Sequence, residues 1–375
     1  MLTPPARGAI ATVAVRGPQA VASADRYFYG LGKLPLADAE VGRILVGHWR
    51  ENDQQPGEEL VVAKLAEDLV EIHCHGGLQA SRQILNHLQS AGCEVESWQQ
   101  WNSATHDDAI VAEAHLALPE AATTQAALHL WDQCQGALSR ELTAIIALLD
   151  EPNFEVATQR IDQLLRLAPL GQSLTRPWSI VLAGPPNVGK SSLLNKIVGY
   201  DRAIVLDMPG TTRDVLHATT ALDGWPVQFS DTAGIRVSDD QLEQAGIAKA
   251  KAALTSADLV IVLHDAAQLR PDQLDQSLRE LPSALHVVNK IDLAGDLKLP
   301  HSREMLATSA VTGEGISELI TAIVEHLVPE VPQPGAPLPF TARQINALRD
   351  AAQCIERRQA DAAKSVLIPL FQVTT

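Results

Sequence analysis

Cysteine is scarce in this sequence of 375 residues, and its spacing is irregular. The four cysteines, Cys74, Cys93, Cys134 and Cys354, form no C-x-x-C pair. Structural zinc sites and disulfide frameworks both depend on closely or regularly spaced cysteines. The sequence therefore predicts neither, and scattered thiols of this kind are typical of a cytosolic protein.

Long apolar runs are also absent. None reaches the roughly 20 residues that a transmembrane helix needs. The N-terminal residues, MLTPPARGAI, lack the basic-then-apolar layout of a secretory signal. We therefore expect a cytoplasmic location and no membrane partner.

Basic residues are outnumbered in this chain. Lysine and arginine together number 29 against 45 aspartates and glutamates, which gives a net charge of −16. An acidic surface repels a phosphate backbone at long range. We therefore do not expect the chain to bind nucleic acid tightly on its own, and a basic partner would be needed.

The patterning of apolar residues changes along the chain and predicts a multidomain α/β protein. Residues 1–117 read as an N-terminal α+β domain, and residues 118–170 carry apolar residues every three or four positions, as long helices do. Strands and helices alternate over 171–332, the pattern of a doubly wound sheet. Residues 338–375, after a proline-rich linker, are expected to pack on the first helices and complete a discontinuous helical domain.

Individual elements are predicted from periodicity and turn residues. Strands are expected at 9–15, 60–65, 68–74, 179–183, 227–230, 259–263, 286–288 and 306–308. Helices are expected at 79–88, 119–149, 154–167 and 341–364, with a break at 168–171. His73, Cys74 and His75 could form a metal cluster, but alternate strand residues point to opposite faces. A packing or pocket role is the favoured interpretation of these three residues.

A phosphate-binding loop is predicted at residues 184–191. Its sequence, Gly-Pro-Pro-Asn-Val-Gly-Lys-Ser, fits GxxxxGK[ST] between an apolar strand and a helix. Such a loop points backbone N–H groups at phosphate oxygens from a helix N-terminus. Lys190 is expected to reach the β- and γ-phosphates, and Ser191 to ligate Mg²⁺. The predicted phosphate site comprises Gly184, Asn187, Val188, Gly189, Lys190, Ser191 and Ser192.

Two further segments fit a nucleotide site that contains a metal ion. The sequence Asp-Thr-Ala-Gly at 231–234 follows a predicted strand, so Asp231 can hold Mg²⁺ through water and the Gly234 amide can meet the γ-phosphate. The sequence Gly-Thr-Thr-Arg-Asp at 210–214 lies between the phosphate loop and this segment. Thr212 is the expected metal ligand there, with Thr211 beside it.

Guanine is the predicted base. The sequence Asn-Lys-Ile-Asp at 289–292 places Asp292 where its carboxylate can accept from the N1–H and 2-amino groups of guanine together, which adenine cannot offer. Lys290 is expected to cover the base plane, and Asn289 to tie this loop to the phosphate loop. Ser309 and Ala310 are expected to offer backbone N–H to the guanine O6. The motifs together predict a Ras-like P-loop domain that binds GTP and GDP and hydrolyses GTP.

Several segments resemble the MnmE (TrmE) family of tRNA-modification GTPases. Within the predicted nucleotide domain they are residues 186–195, 209–215, 231–236 and 239–247. At the N-terminus, T-P-P-A-R-G-A-I at 3–10 resembles the family's T-P-P-G-R-G-G-[IV], and D-L-V-E-I-H-C-H-G-G at 68–77 resembles D-x-V-E-I-x-C-H-G-G. The predicted domain order also matches the family.

The resemblance implies a mechanism. Family members hydrolyse GTP with a K⁺ ion held by the P-loop asparagine, which corresponds to Asn187, while two G domains dimerise across the nucleotides. A glutamate that corresponds to Glu243 orients the attacking water; the alternative is an ordinary solvated helix carboxylate. Ile235 occupies the position where Ras-like enzymes carry a glutamine, and it cannot orient water. The predicted catalytic residues are therefore Glu243, Asn187, Lys190 and Thr212.

The resemblance also implies partners and a second cofactor, with departures in this sequence. Family members form homodimers, act with a FAD-containing partner subunit on tRNA wobble uridines, and bind a one-carbon tetrahydrofolate in the N-terminal domain. Here Ala14 replaces an arginine of the opening strand. The sequence also ends Phe-Gln-Val-Thr-Thr at 371–375 where the family has C-x-G-K, and Cys354 is interpreted as a packing residue.

Two other functions stay open at the level of sequence. The chain could be a divergent paralogue that acts as a GTP-driven regulatory switch without tRNA-modifying chemistry. It could also be a ribosome-assembly GTPase that shares the P-N-V-G-K-S loop. The second alternative is weaker, because those proteins usually carry a basic RNA-binding appendage.

Overall fold

The computed structural model describes residues 1–3, 8–32, 34–52, 56–150, 153–200, 203–205, 217–231, 256–269, 271–293 and 305–372. The chain divides into two compact units, Met1–Thr105 and His106–Thr375. The first unit thus ends before the domain boundary predicted at residue 117. No helix in the described ranges is both long enough and apolar enough to cross a bilayer.

The first unit is an antiparallel sheet with helices packed against it. Its strands are β1 (Ile10–Arg16), β2 (Phe28–Gly30), β3 (Ile44–Trp49), β4 (Glu58–Ala66) and β5 (Leu69–His75), in the order β1-β5-β4-β3-β2. Its helices are α1 (Ala20–Asp25), α2 (Leu78–Ser90) and α3 (Trp98–Ser103). Alternate residues of β1 and β5 are buried and pack with Ile84 and Leu88 of α2. This alternation is the one that the sequence predicts for half-buried strands.

His73, Cys74 and His75 lie on β5 and separate onto its two faces. Cys74 is buried in the core, and burial raises the pKa of its thiol. The His73 ring lies 3.1 Å from the Thr12 hydroxyl, and the His75 ring lies 2.5 Å from the Glu58 carboxylate. No group of three or more His, Cys, Asp and Glu suited to a metal ion occurs among the described residues.

The second unit begins with four helices: α4 (Ala109–Ala117), α5 (Thr124–Cys134), α6 (Ala137–Asp150) and α7 (Phe154–Ser173). The single helix predicted over 119–149 is divided, because Gly136 adopts a left-handed φ of 81° between α5 and α6. The break predicted at 168–171 is wrong, since α7 continues through Pro169 to Ser173. Gly171 lies so close to the Pro339 backbone that a side chain at this position would overlap it.

A seven-stranded sheet follows. Its strands are β6 (Trp178–Ala183), β7 (Ala203–Val205), β8 (His217–Leu222), β9 (Trp225–Asp231), β10 (Leu259–Asp265), β11 (Leu285–Asn289) and β12 (Met305–Thr308). The order is β12-β11-β10-β6-β9-β8-β7, in which β12 to β9 are parallel and β8 and β7 join antiparallel. The helix α8 (Lys190–Val198) follows β6, α9 (Pro271–Glu280) connects β10 with β11, and α10 (Ile316–Leu327) follows β12. The architecture is that of a Ras-like P-loop domain, as the sequence predicts.

The closing segment forms α11 (Ala342–Glu356) and α12 (Ala360–Leu367), separated by Arg358 with a left-handed φ of 57°. Leu348, Ala351 and Ile355 of α11 are buried in the same core as α6 and α7. The Gln133 amide of α5 accepts from Leu338 N–H at 3.2 Å and donates to the Ala336 carbonyl at 3.0 Å. The prediction that this segment returns to the first helices is confirmed.

Candidate nucleotide site

Four of the five sequence motifs follow parallel strands at one edge of the sheet. The strands β6, β9, β10, β11 and β12 end at Ala183, Asp231, Asp265, Asn289 and Thr308. Because these strands are parallel, their carboxyl ends lie together, and ligands of open α/β sheets bind in the crevice outside those ends. The topology therefore gathers motifs that extend from residue 184 to residue 310 of the sequence.

The phosphate loop owes its shape to three residues with a left-handed backbone. The φ angle is 142° at Gly184, 62° at Asn187 and 102° at Gly189. A Cβ at Gly184 would lie 2.7 Å from the Leu263 carbonyl oxygen, and one at Gly189 would overlap the Asn289 amide. The two glycines of the motif are therefore required both for conformation and for space.

Lys190 holds its charge inside this loop. It is buried, and its Nζ donates to the Gly184 and Pro185 carbonyls, both at 3.1 Å. Ser191 and Ser192 follow in the first turn of α8 and are exposed. A lysine and a hydroxyl at the start of a helix fit the phosphates and the Mg²⁺ of a nucleotide, as the motif predicts.

Asn289 joins the phosphate loop to both parts of the base-binding region. Its side chain is 1% exposed, and its Nδ2 donates to the Val188 carbonyl at 3.0 Å. Its Oδ1 accepts from the Thr308 hydroxyl and from Ala310 N–H, each at 3.3 Å. The predicted tie between the loops is confirmed, and it extends to the segment that contains Ser309 and Ala310.

Lys290 provides a second connection between the base loop and the phosphate loop. Its φ is 66°, and its Nζ donates to the Asn187 carbonyl at 2.7 Å and to the Asp265 carboxylate at 2.7 Å. Asp265 was not identified from the sequence. The signal that could have found it is an acidic residue just beyond the strand predicted at 259–263, at the edge where ligands bind.

Asp292 and Ser309 meet at the predicted guanine position. The Ser309 hydroxyl donates to Asp292 Oδ1 at 2.5 Å and accepts from Thr312 N–H at 3.1 Å. Ser309 is buried, whereas Asp292 is exposed. The serine thus orients a carboxylate that remains open to the polar edge of a base.

A pair of stacked histidines lies on the strands beneath this edge. His264 Nε2 and His286 Nδ1 are 3.1 Å apart, and His286 Nε2 lies 3.3 Å from the Leu281 carbonyl oxygen. Burial, with a smaller contribution from His286, lowers the pKa of His264. His264 is therefore neutral near pH 7 and adds no positive charge to the site.

The remaining predicted residues lie outside the described ranges. They are Thr211, Thr212, Gly234 and Glu243, so their predicted roles stay predictions. Asp231 is described only as the last residue of β9, at the same edge as the phosphate loop. The contacts above connect the phosphate loop with the loops at 289–292 and 308–310.

The comparisons with known proteins agree with these motifs. The family model described as MMR_HSR1, 50S ribosome-binding GTPase, matches residues 179–290. The tRNA modification GTPase MnmE of Chlamydia caviae is 35% identical over 351 residues, with 84% of this chain and 78% of the relative covered. MnmE of Acaryochloris marina is 32% identical over 412 residues, with 98% of this chain and 90% of the relative covered.

Solved structures with similarity include FeoB and Era proteins. The G domain of the T. maritima FeoB iron transporter is 29% identical, covers 40% of this chain and 99% of its own, and has a TM-score of 0.29. Aquifex aeolicus Era is 27% identical, covers 47% of this chain and 66% of its own, and has a TM-score of 0.30.

Proposed function

Since the chain belongs to the MnmE family of tRNA modification GTPases, we propose that its GTP hydrolysis is stimulated by K⁺ and by dimerisation of two G domains, and that it serves the modification of wobble uridines in tRNA. Hydrolysis of GTP itself is the shared activity of these relatives and of the matching domain. The observation that carries the proposal is the arrangement of Asn187 within the phosphate loop.

Asn187 is suited to bind a cation beside the phosphates. Its side chain is exposed. Its backbone is left-handed, and its carbonyl accepts a hydrogen bond from Lys290 at 2.7 Å, so the position of its Cα is fixed. A fixed monovalent cation next to the transferred phosphoryl group offsets the negative charge that grows there. Bound Mg²⁺ would supply the same kind of stabilisation from Ser191, Thr212 and Asp231.

The other residues bind and orient the nucleotide. Lys190 presents its ammonium within the loop, and Asn289 holds three loops in one arrangement through its amide. Asp292 selects guanine, because a base without the matching donors leaves its carboxylate unpaired. Glu243 is the proposed group that orients the attacking water.

A partner subunit is needed for contact with tRNA. The net charge of −16 opposes binding of a phosphate backbone by this chain alone. We therefore propose a homodimer that acts together with a FAD-containing partner, which would provide the basic surface. GTP hydrolysis in this chain would then drive conformational change in the complex with the partner, and would not itself be a chemical step on the tRNA base.

A tetrahydrofolate derivative would bind in the first unit, where Ala14, Arg16, Cys93 and Trp101 contribute to the lining of a cavity of about 340 Å³. The Arg16 guanidinium is already paired with Glu96 at 2.7 Å and stacks 4.4 Å over the Trp101 ring. A folate carboxylate at this position would have to replace Glu96 as the partner of Arg16.

Nucleoside mass spectrometry of bulk tRNA tests the proposal. A strain that lacks the gene should lose its 5-substituted wobble uridines. The wild-type gene should restore them, whereas Lys190→Ala, which removes the phosphate-binding ammonium, should not. An unchanged nucleoside profile in the deletion strain would instead support the GTP-driven regulatory switch.

A further inference from the structure

Asp265 occupies a position that links the two nucleotide-binding loops. It is the last residue of β10, and its register partner on β11 is Asn289. Its side chain is only 10% exposed. We propose that Asp265 is a positioning residue for nucleotide binding, which holds the Lys290 ammonium against the Asn187 carbonyl and so fixes the base loop to the phosphate loop.

Both carboxylate oxygens of Asp265 have defined partners. Oδ2 accepts from Lys290 Nζ at 2.7 Å, and Oδ1 accepts from Ala267 N–H at 3.0 Å. The hydrogen bond from Ala267 N–H fixes the plane of the carboxylate, so Oδ2 is directed at Lys290 Nζ. Charge-assisted bonds of this length are about twice as strong as neutral ones.

The consequence for Lys290 is a loss of conformational freedom. A lysine side chain free in solvent samples many rotamers and must give up that freedom when it covers a ligand. Here two bonds of 2.7 Å already hold its Nζ. Asp265 therefore reduces the entropic cost of nucleotide binding without touching the nucleotide.

The same contact also fixes Asn187. Its carbonyl accepts from the ammonium that Asp265 holds, so loosening Lys290 would loosen the part of the loop from which the Asn187 side chain projects. If that side chain binds K⁺, as the proposed function states, then Asp265 also affects the K⁺ site.

Asp258 offers a matched comparison within the same unit. It is also partly buried, with a side chain 20% exposed, it pairs with Arg176 at 3.5 Å, and it accepts from Ser179 N–H at 2.8 Å. It immediately precedes β10, so it lies at the opposite end of that strand from Asp265. Asp258→Asn therefore serves as the control for Asp265→Asn: it removes the same negative charge from a residue that pairs with Arg176 and not with Lys290.

The decisive measurement is the dissociation constant of GTP, GDP and ITP for the full chain carrying Asp265→Asn. Loss of one charge-assisted bond predicts weaker binding by about 10- to 100-fold. GTP and ITP should be affected equally, because Lys290 covers the base face and does not read the 2-amino group. At saturating K⁺ the increase in KM should exceed the loss in kcat at saturating GTP, since Asp265 acts mainly on binding.

Three further variants separate positioning from a general effect on folding. Lys290→Met should weaken binding, and adding Asp265→Asn to it should cause no further loss, because the two residues act through one contact. If Asp265→Asn does not fold, Asp265→Glu, which keeps the charge on a longer arm, should still weaken binding severalfold. Affinities within twofold of wild type for Asp265→Asn, or equal losses in Asp258→Asn, would overturn the proposal.

The dependence of the hydrolysis rate on K⁺ concentration is a second readout, separate from the nucleotide affinities. Its interpretation rests on the proposed function. Asp265→Asn should require severalfold more K⁺ for half-maximal rate, and Asp258→Asn should not. A wild-type enzyme that is indifferent to K⁺ would contradict the proposed function, while the nucleotide affinities would still decide the role of Asp265.

Discussion

The indole ring of Trp225 stacks on the imidazole ring of His129, with centroids 5.7 Å apart and planes inclined by 6°. His129 lies on α5, and Trp225 begins β9 at the turn of the β8–β9 hairpin. Both side chains are buried. This contact anchors the β8–β9 hairpin on the helices. In the sequence, β8 begins just after the predicted metal-binding segment at 210–214, and β9 ends at the start of the one at 231–234.

Replacing Trp225 tests how much this anchor stabilises the second unit. Trp225→Ala should reduce the free energy of unfolding by about 3–5 kcal/mol, since it removes a fully buried aromatic side chain. Trp131→Ala on α5 is the control, because Trp131 is 48% exposed and its loss should change stability by less than about 1 kcal/mol. Urea unfolding measures both; similar losses in the two variants would contradict the assigned packing.

His129 should make stability depend on pH. Burial, partly opposed by the charge of Asp132, lowers its pKa below the ordinary 6.5. The unfolded chain therefore binds this proton more readily, so the stabilisation is present above pH 6.5 and declines as the pH falls. One such proton contributes a slope of at most about 1.4 kcal/mol per pH unit.

His129→Leu should remove that contribution to the slope. Its Nδ1 has no hydrogen-bond partner among the described residues, so an apolar replacement leaves no buried group unpaired. Unfolding free energies measured from pH 7.5 to 5 should fall less steeply in the variant than in wild type. Identical slopes would show that the imidazole is not titrating in this window.

Gly189→Ala should abolish nucleotide binding. The residue has a φ of 102°, and the added methyl group would overlap the Asn289 amide that connects the loops. We expect GTP affinity to fall by at least about 100-fold, because the displaced loop no longer presents its N–H groups together. Gly77→Ala is the control, since a Cβ there meets nothing within 4 Å; calorimetric titration with GDP should find wild-type affinity for it.

Glu243→Ala should separate binding from hydrolysis. If this carboxylate orients the attacking water, single-turnover hydrolysis should slow by about 100- to 1000-fold, while GTP affinity stays near wild type. Glu318→Ala, an exposed carboxylate on α10, serves as the control. A Glu243 variant with an unchanged rate in KCl would remove this residue from the mechanism.

The nucleotide motifs could be predicted because each is local in sequence and each follows a strand. The phosphate loop, the tie from Asn289 and the position of Asp292 need only short segments and the rule that parallel strands end together. The contact between Lys290 and Asp265 could not be predicted. It joins residues 25 positions apart, and only the register of β10 and β11 brings them together.

Helices and strands could be predicted where the apolar residues follow one spacing, every three or four positions for a helix or every second position for a strand. Strands β8 and β7 were missed: His217–Leu222 mixes alanine and threonine without a clear apolar alternation, and Ala203–Val205 has only three residues. The end of α7 was misplaced because proline and glycine at 169 and 171 usually end a helix. In the structure, the Gly171 backbone instead packs against Pro339, a contact between distant segments that no local pattern reveals.

The measurement that tests the central claim most directly is the steady-state rate of GTP hydrolysis in KCl and in NaCl at equal ionic strength. We predict a rate at least about tenfold higher in KCl, because a cation held at Asn187 stabilises the charge that develops in the transition state. Asn187→Ala should retain GTP binding and lose the difference between the salts. Equal rates for the wild-type protein in the two salts would contradict the account.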